Sequence, residues 1–135
     1  ITKQCCVYRI SYDEYGSNGR SRILRLHETE ELIVLELRPN CEHCDKNLPP
    51  ASTQAHICTY ECTFCSHCVK NVLYNVCPNC GGGFSKHPIR PRTERRPGVS
   101  LEHQPASSKR LHTKYSGEEI TQFAGATKSI RAEDR

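Results

Sequence analysis

The chain has no tryptophan, no methionine and only three phenylalanines among its 135 residues. Its apolar fraction is 36%, against the ~45–50% usual for a globular chain. A large hydrocarbon core is therefore excluded, and something else must hold the fold. No run approaches the ~18 apolar residues of a membrane-spanning helix, so no membrane role is expected. The first thirty residues carry charges throughout and contain no apolar stretch of signal-peptide length. The oxidising setting of a disulfide scaffold is thus not expected, and we place the protein in the cytoplasm. No Ser/His/Asp or phosphate-loop pattern is found, which argues against an enzyme.

The lack of methionine also bears on the reading frame. We expect translation to begin at Val34, from a GTG codon. Glu30-Glu31 would be encoded by purines resembling a bacterial ribosome-binding site. Residues 1–33 are then an upstream extension, disordered or untranslated. Cys5 and Cys6, adjacent and isolated, fall within it.

What the chain has is cysteine, ten in all. Eight of them lie between 41 and 80, as Cys41-x2-Cys44, Cys58-x3-Cys62-x2-Cys65-x2-Cys68 and Cys77-x2-Cys80. A C-x2-C pair lets two thiolates of one tight turn reach the same tetrahedral ion. Two ions need eight ligands, and eight are present. We therefore expect two Zn2+ ions held by Cys41, Cys44, Cys58, Cys62, Cys65, Cys68, Cys77 and Cys80. His43, His56 and His67 lie close to these ligands but are spare. A closed four-thiolate site has no open position for water, so Glu61 beside the metal is no hydrolytic base. Cys77-Pro78-Asn79-Cys80-Gly81 also resembles a rubredoxin knuckle and a thiol-redox C-P-x-C. Asp45 in place of glycine after Cys44 disfavours iron, and Gly81-Gly82-Gly83 cannot easily continue the helix that redox chemistry uses.

The order and gaps resemble the RING finger, a cross-brace treble clef. By that resemblance, Cys41, Cys44, Cys65 and Cys68 take one ion and Cys58, Cys62, Cys77 and Cys80 the other. A sequential alternative stays open, in which Cys41/Cys44 join Cys77/Cys80 as in a zinc ribbon. The fold class is small α+β, metal-stabilised, with short strands and one short helix, flanked by disordered segments. Val34-Leu35-Glu36-Leu37 reads as a strand ended by Pro39. Val69, Val72, Leu73 and Val76 predict a helix from near Cys68.

Residues 34–92 form the zinc-binding domain on this reading, and 93–135 a basic, mostly disordered tail. Residues 85–135 hold eleven basic and six acidic residues, opening with His87-Pro88-Ile89-Arg90-Pro91-Arg92. Close prolines and like charges resist packing. One patch could order: Ser116 and Glu119 form a capping box ahead of Ile120, Phe123, Ala124 and Thr127 at helical spacing.

Residues 35–91 further resemble the bacterial domain of unknown function numbered 1272. The matching stretches are Leu35-Glu36-Leu37-Arg38-Pro39-Asn40-Cys41, Leu48-Pro49-Pro50, Ile57-Cys58, Glu61-Cys62-Thr63-Phe64-Cys65, Val76-Cys77-Pro78-Asn79-Cys80-Gly81-Gly82 and Arg90-Pro91. The resemblance implies RING-like zinc fingers in a cytoplasmic bacterial protein, and supplies no activity. RING ligases carry an aliphatic residue in the first C-x2-C, a tryptophan before the last pair and a basic residue after the last cysteine. Here those places hold Glu42-His43, no tryptophan and Gly81. The expected function is a structural zinc module that binds a protein. The alternative is a nucleic-acid-associated finger aided by the basic tail, although few aromatics are available for base stacking.

Overall fold

The computed structural model describes residues 34–135. The expectations for residues 1–33, including Cys5 and Cys6, lie outside the described residues. Leu35–Arg135 make up one unit.

Its centre is a three-stranded antiparallel sheet. Strand β1 (Ala55–Ile57) lies between β2 (Thr63–Cys65) and β3 (Ser85–Lys86). The register sets Ala55 opposite Cys65, His56 opposite Phe64 and Lys86, and Ile57 opposite Thr63 and Ser85. The β1–β2 connection closes on itself: Cys58 N–H donates to Cys62 O and Glu61 N–H to Cys58 O. Glu61 takes a left-handed φ of 64° to make that turn. All three residues of β2 are buried. Phe64 meets Phe84 edge-on, with centroids 5.4 Å apart. Edge-to-face packing matches the positive ring edge to the negative face.

Helix α1 (Ser66–Asn71) follows β2 directly, with Cys65 as N-cap. The valine and leucine spacing suggests a helix running on to Val76, but α1 ends at Asn71. Tyr74 (φ 48°) and Asn75 (φ 59°) adopt left-handed conformations that a helix cannot contain. Leu73 and Val76 are nonetheless buried, so the apolar stripe serves the core as expected.

Residues 34–37 run without strand pairing. Their backbone groups bond to loops and side chains instead. Leu37 O accepts Ser107 N–H, Glu36 N–H donates to Glu61 Oε1, and Arg90 donates to Leu35 O.

The largest departure from expectation lies at the C-terminal end. Residues 93–135, expected as a mostly disordered tail, run back along the core. Helix α2 (Gly117–Thr127) carries both bonds of the predicted capping box: Ser116 Oγ accepts Glu119 N–H, and Glu119 Oε2 accepts Ser116 N–H. Ile120 and Ala124 of α2 are buried, and a short 3₁₀ turn, Ala132–Asp134, follows. The expected fold class counted one short helix; α2, marked in the sequence by its capping box, is a second among the described residues. The segment orders because its polar groups find core partners, as Arg110 does on Asp45 and Leu111 on Asn40. No helix among the described residues is long and apolar enough to cross a membrane.

Candidate metal centre

The first cysteine cluster joins two pieces of local structure. The turn at Cys41–Cys44 is closed by Asp45 N–H to Cys41 O and by Cys41 N–H to Lys46 O, both 2.9 Å. Asp45 completes the reversal at φ 62°. The end of β2 and the start of α1 supply Cys65 and Cys68. The Sγ atoms of Cys41, Cys44, Cys65 and Cys68 all lie within 4.8 Å of one another. Cys44 Sγ and Cys65 Sγ are 3.8 Å apart. A disulfide would need ~2.05 Å, and all eight described cysteines are free thiols. Four sulfurs at ~2.3 Å from one tetrahedral ion stand ~3.8 Å apart. The spacing and the donor set therefore fit a tetrahedral thiophilic ion.

The second cluster is built from the β1–β2 loop and the turn after Val76. Cys58, Cys62 and Cys77 bring their Sγ atoms within 4.8 Å of one another. Gly81 N–H donates to Cys77 O at 2.7 Å, and Cys77 N–H to Gly82 O at 2.8 Å. Gly81 has φ 80°, a conformation that glycine adopts at no steric cost. Cys80, exposed on the same turn, stands outside the 4.8 Å set. Its Sγ accepts Gly82 N–H at 3.4 Å. Cys58 Sγ likewise accepts Tyr60 N–H at 3.3 Å, and Cys65 Sγ accepts Cys68 N–H at 3.5 Å. Backbone donors aimed at sulfur favour the thiolate, the form that binds metal.

The pairing is interleaved. Cys41 and Cys44 meet Cys65 and Cys68, not Cys77 and Cys80. The sequential, ribbon-like alternative is therefore not what the chain adopts. His43, His56 and His67 join neither cluster. His67 faces Asn71, and His56 faces Gln54 O and Ser66.

The thiols perturb one another strongly. Hydrogen bonds from Cys62 and Cys77 pull the Cys58 thiol down to about 4. In answer, the Cys58 thiolate pushes Cys62 and Cys77 up. In the first cluster, burial and the neighbouring Cys41 push Cys68 up. Such sets cannot all ionise unless a cation joins them.

Glu42, noted in the sequence only for what it replaces, ties the two clusters together. Its carboxylate is buried and accepts Thr63 N–H at 2.6 Å, Arg38 Nη1 at 2.9 Å and Asn79 Nδ2 at 3.3 Å. Asn79 sits inside the Cys77–Cys80 turn, so Glu42 links one cysteine turn to the other. Burial raises the Glu42 pKa, and Thr63 N–H and Arg38 oppose that shift. Arg38 is also largely covered and bonds Glu36 as well. The only sequence signal for this pair is the four-residue spacing of opposite charges.

These features define a small metal-binding module with two cysteine clusters. The chain belongs to the family described as protein of unknown function (DUF1272), whose model matches residues 34–90. An uncharacterized protein of Rhizobium meliloti (strain 1021), R02474, is 49% identical over 78 residues, covering 58% of this chain and 86% of that protein. No solved structure matches.

Proposed function

We propose that the protein is a RING-like structural zinc module that holds a protein-binding surface. The observation that carries this reading is the first cluster, whose four thiols stand at tetrahedral spacing. Cys58, Cys62 and Cys77, with Cys80 as fourth ligand, form the second site. Four-sulfur sites take zinc or iron. Iron in a rubredoxin is embraced by two knuckles at once. Here the two knuckles, Cys41–Cys44 and Cys77–Cys80, belong to different clusters, which supports zinc.

Several features support a binding role over catalysis. Four thiolates close each site to water. Cys77 is fully buried, so it cannot attack a substrate disulfide. One contact resembles a hydrolase triad: Ser100 Oγ lies 3.1 Å from His103 Nδ1, and His103 Nε2 lies 3.7 Å from Glu94. Ser100 is 0% exposed and its Oγ accepts Glu102 N–H, so it caps a turn. A ligase role fares no better, because buried Glu42 occupies the place of the aliphatic contact residue.

The basic segment supports a protein partner over nucleic acid, because much of its charge is used internally. Arg110 holds Asp45, Arg90 holds two backbone carbonyls, and Arg135 holds Asn75 O. Lys128 lies over the Tyr74 ring and Lys114 over Tyr115. Affinity capture from a native host tests this, with nuclease-treated lysate and zinc-stripped bait as the two controls. The expected result is a protein captured by zinc-loaded bait that survives nuclease. Capture that nuclease abolishes would contradict it.

A further inference from the structure

The C-terminal segment does not pack on the core at random. Its anchors fall on the two cysteine turns. Arg110 donates to Asp45 Oδ1 and Asp45 O, each at 2.7 Å, and to Asn47 Oδ1, also at 2.7 Å. Asp45 and Asn47 form the turn just after Cys44. Leu111 pairs its backbone with the buried Asn40 side chain, giving N–H to Oδ1 at 3.3 Å and accepting Nδ2 at 2.9 Å. Thr113 then bridges both turns. Its N–H donates to Glu42 O, within the first, and its Oγ1 donates to Asn79 Oδ1, within the second, each at 2.9 Å.

Beyond Thr113 the contacts gather on the second turn and on the residues that flank it. Tyr115, Ile120 and Phe123 line one cleft with Pro78, Asn79 and Cys80. The Phe123 ring lies over Gly81, where a Cβ would stand 3.5 Å from Cζ. Arg135 closes the path on Asn75 O at 2.7 Å.

We propose that residues 110–135 are a clasp that docks on the metal-loaded form of both cysteine turns and, in return, tightens metal binding at each. The inference rests on the metal-binding reading above. Most of the core groups that the clasp grips lie within three residues of a cluster cysteine, and the thiol pairing fixes their positions. Asp45 O, Glu42 O and the Asn79 amide converge only while Cys41–Cys44 and Cys77–Cys80 hold their turns. Loss of metal removes that convergence, so the clasp loses its site. Binding linkage is reciprocal: whatever metal adds to the free energy of clasp docking, the docked clasp adds to metal affinity. The contacts divide by site. Arg110 serves the Cys41/Cys44/Cys65/Cys68 cluster, and Phe123 serves the cluster of Cys58, Cys62 and Cys77.

That division gives a test which general destabilisation would not mimic. The full chain is loaded with cadmium-113, and its two signals are assigned through coupling to cysteine Hβ protons. Each signal is then followed at equilibrium against rising chelator in wild type, Arg110→Ala and Phe123→Ala. Site-to-site coupling ordinarily spans ~5–150-fold. We expect Arg110→Ala to weaken cadmium affinity at the first cluster about tenfold, and Phe123→Ala to do so at the second, with less than about threefold change at the other site. Two bound cadmium ions whose affinity is unchanged, or is weakened equally at both sites, would overturn the clasp and leave the metal sites standing. A full chain that takes up no cadmium would overturn the metal reading itself.

Discussion

Residues 35–87 and residues 100–135 meet along the two cysteine turns, yet different interactions order them. The first region has seven thiols in two clusters, with Cys80 on the turn beside the second, and around them Leu48, Phe64, Leu73 and Val76 are buried. The second has no cysteine and buries only Ile120 and Ala124 among its apolar side chains. Its order comes from polar contacts to groups the first region presents, chiefly Asn40, Glu42, Asp45 and Asn79. The first region is therefore the condition for the second. A chain poor in apolar residues can still order a charged segment if a rigid surface offers enough backbone acceptors.

The contrast can be broken at graded points. The largest effect is expected from the clusters. Structural zinc contributes ~10–16 kcal/mol of apparent binding energy at neutral pH, more than the low end of the usual ~5–15 kcal/mol net stability that a domain this small is expected to show. Cys65→Ser or Cys77→Ser should therefore abolish the fold of both regions, read as loss of dispersed amide signals throughout residues 35–135. Next comes the apolar centre. Phe64→Ala removes a ring that is fully buried against Phe84. It should cost about 3–5 kcal/mol, checked by denaturant titration of the metal-loaded chain.

A third change should separate the regions. Ile120→Ala should cost about 2–5 kcal/mol of docking while leaving the cysteine core folded. Amide exchange would show protection lost over residues 111–124 and kept over 55–73. The smallest effect is expected at the helix cap. Ser116→Ala removes the acceptor of Glu119 N–H and should cost about 0.5–2 kcal/mol. It would be seen as faster exchange in the first turn of α2 alone.

The two regions also differ in how far they can be read from sequence. The cysteine clusters are legible because metal ligands come in local pairs, and a C-x2-C turn announces itself within four residues. The interleaved pairing follows from the RING resemblance, although spacing alone leaves the ribbon alternative open. The α2 cap is equally local, with Ser116 and Glu119 three residues apart. Docking of the C-terminal segment is not legible. Asn40 and Leu111 are 71 positions apart, and Asp45 and Arg110 are 65. Neither pair has a periodicity or motif. Composition suggests disorder in that segment because it counts charges without knowing which of them have partners. The end of α1 is misread for a different reason. Leu73 and Val76 keep helical spacing while the backbone turns left-handed at Tyr74 and Asn75.

Metal dependence can be measured directly by chelator titration of the purified full chain. Metal release and circular dichroism are followed together, after elemental analysis of the starting protein. Two zinc ions per chain are expected, with loss of α1 and of tertiary signal as they leave. Zinc that departs while the helix and the tertiary signal persist would show that Phe64, Leu73 and their neighbours suffice without metal.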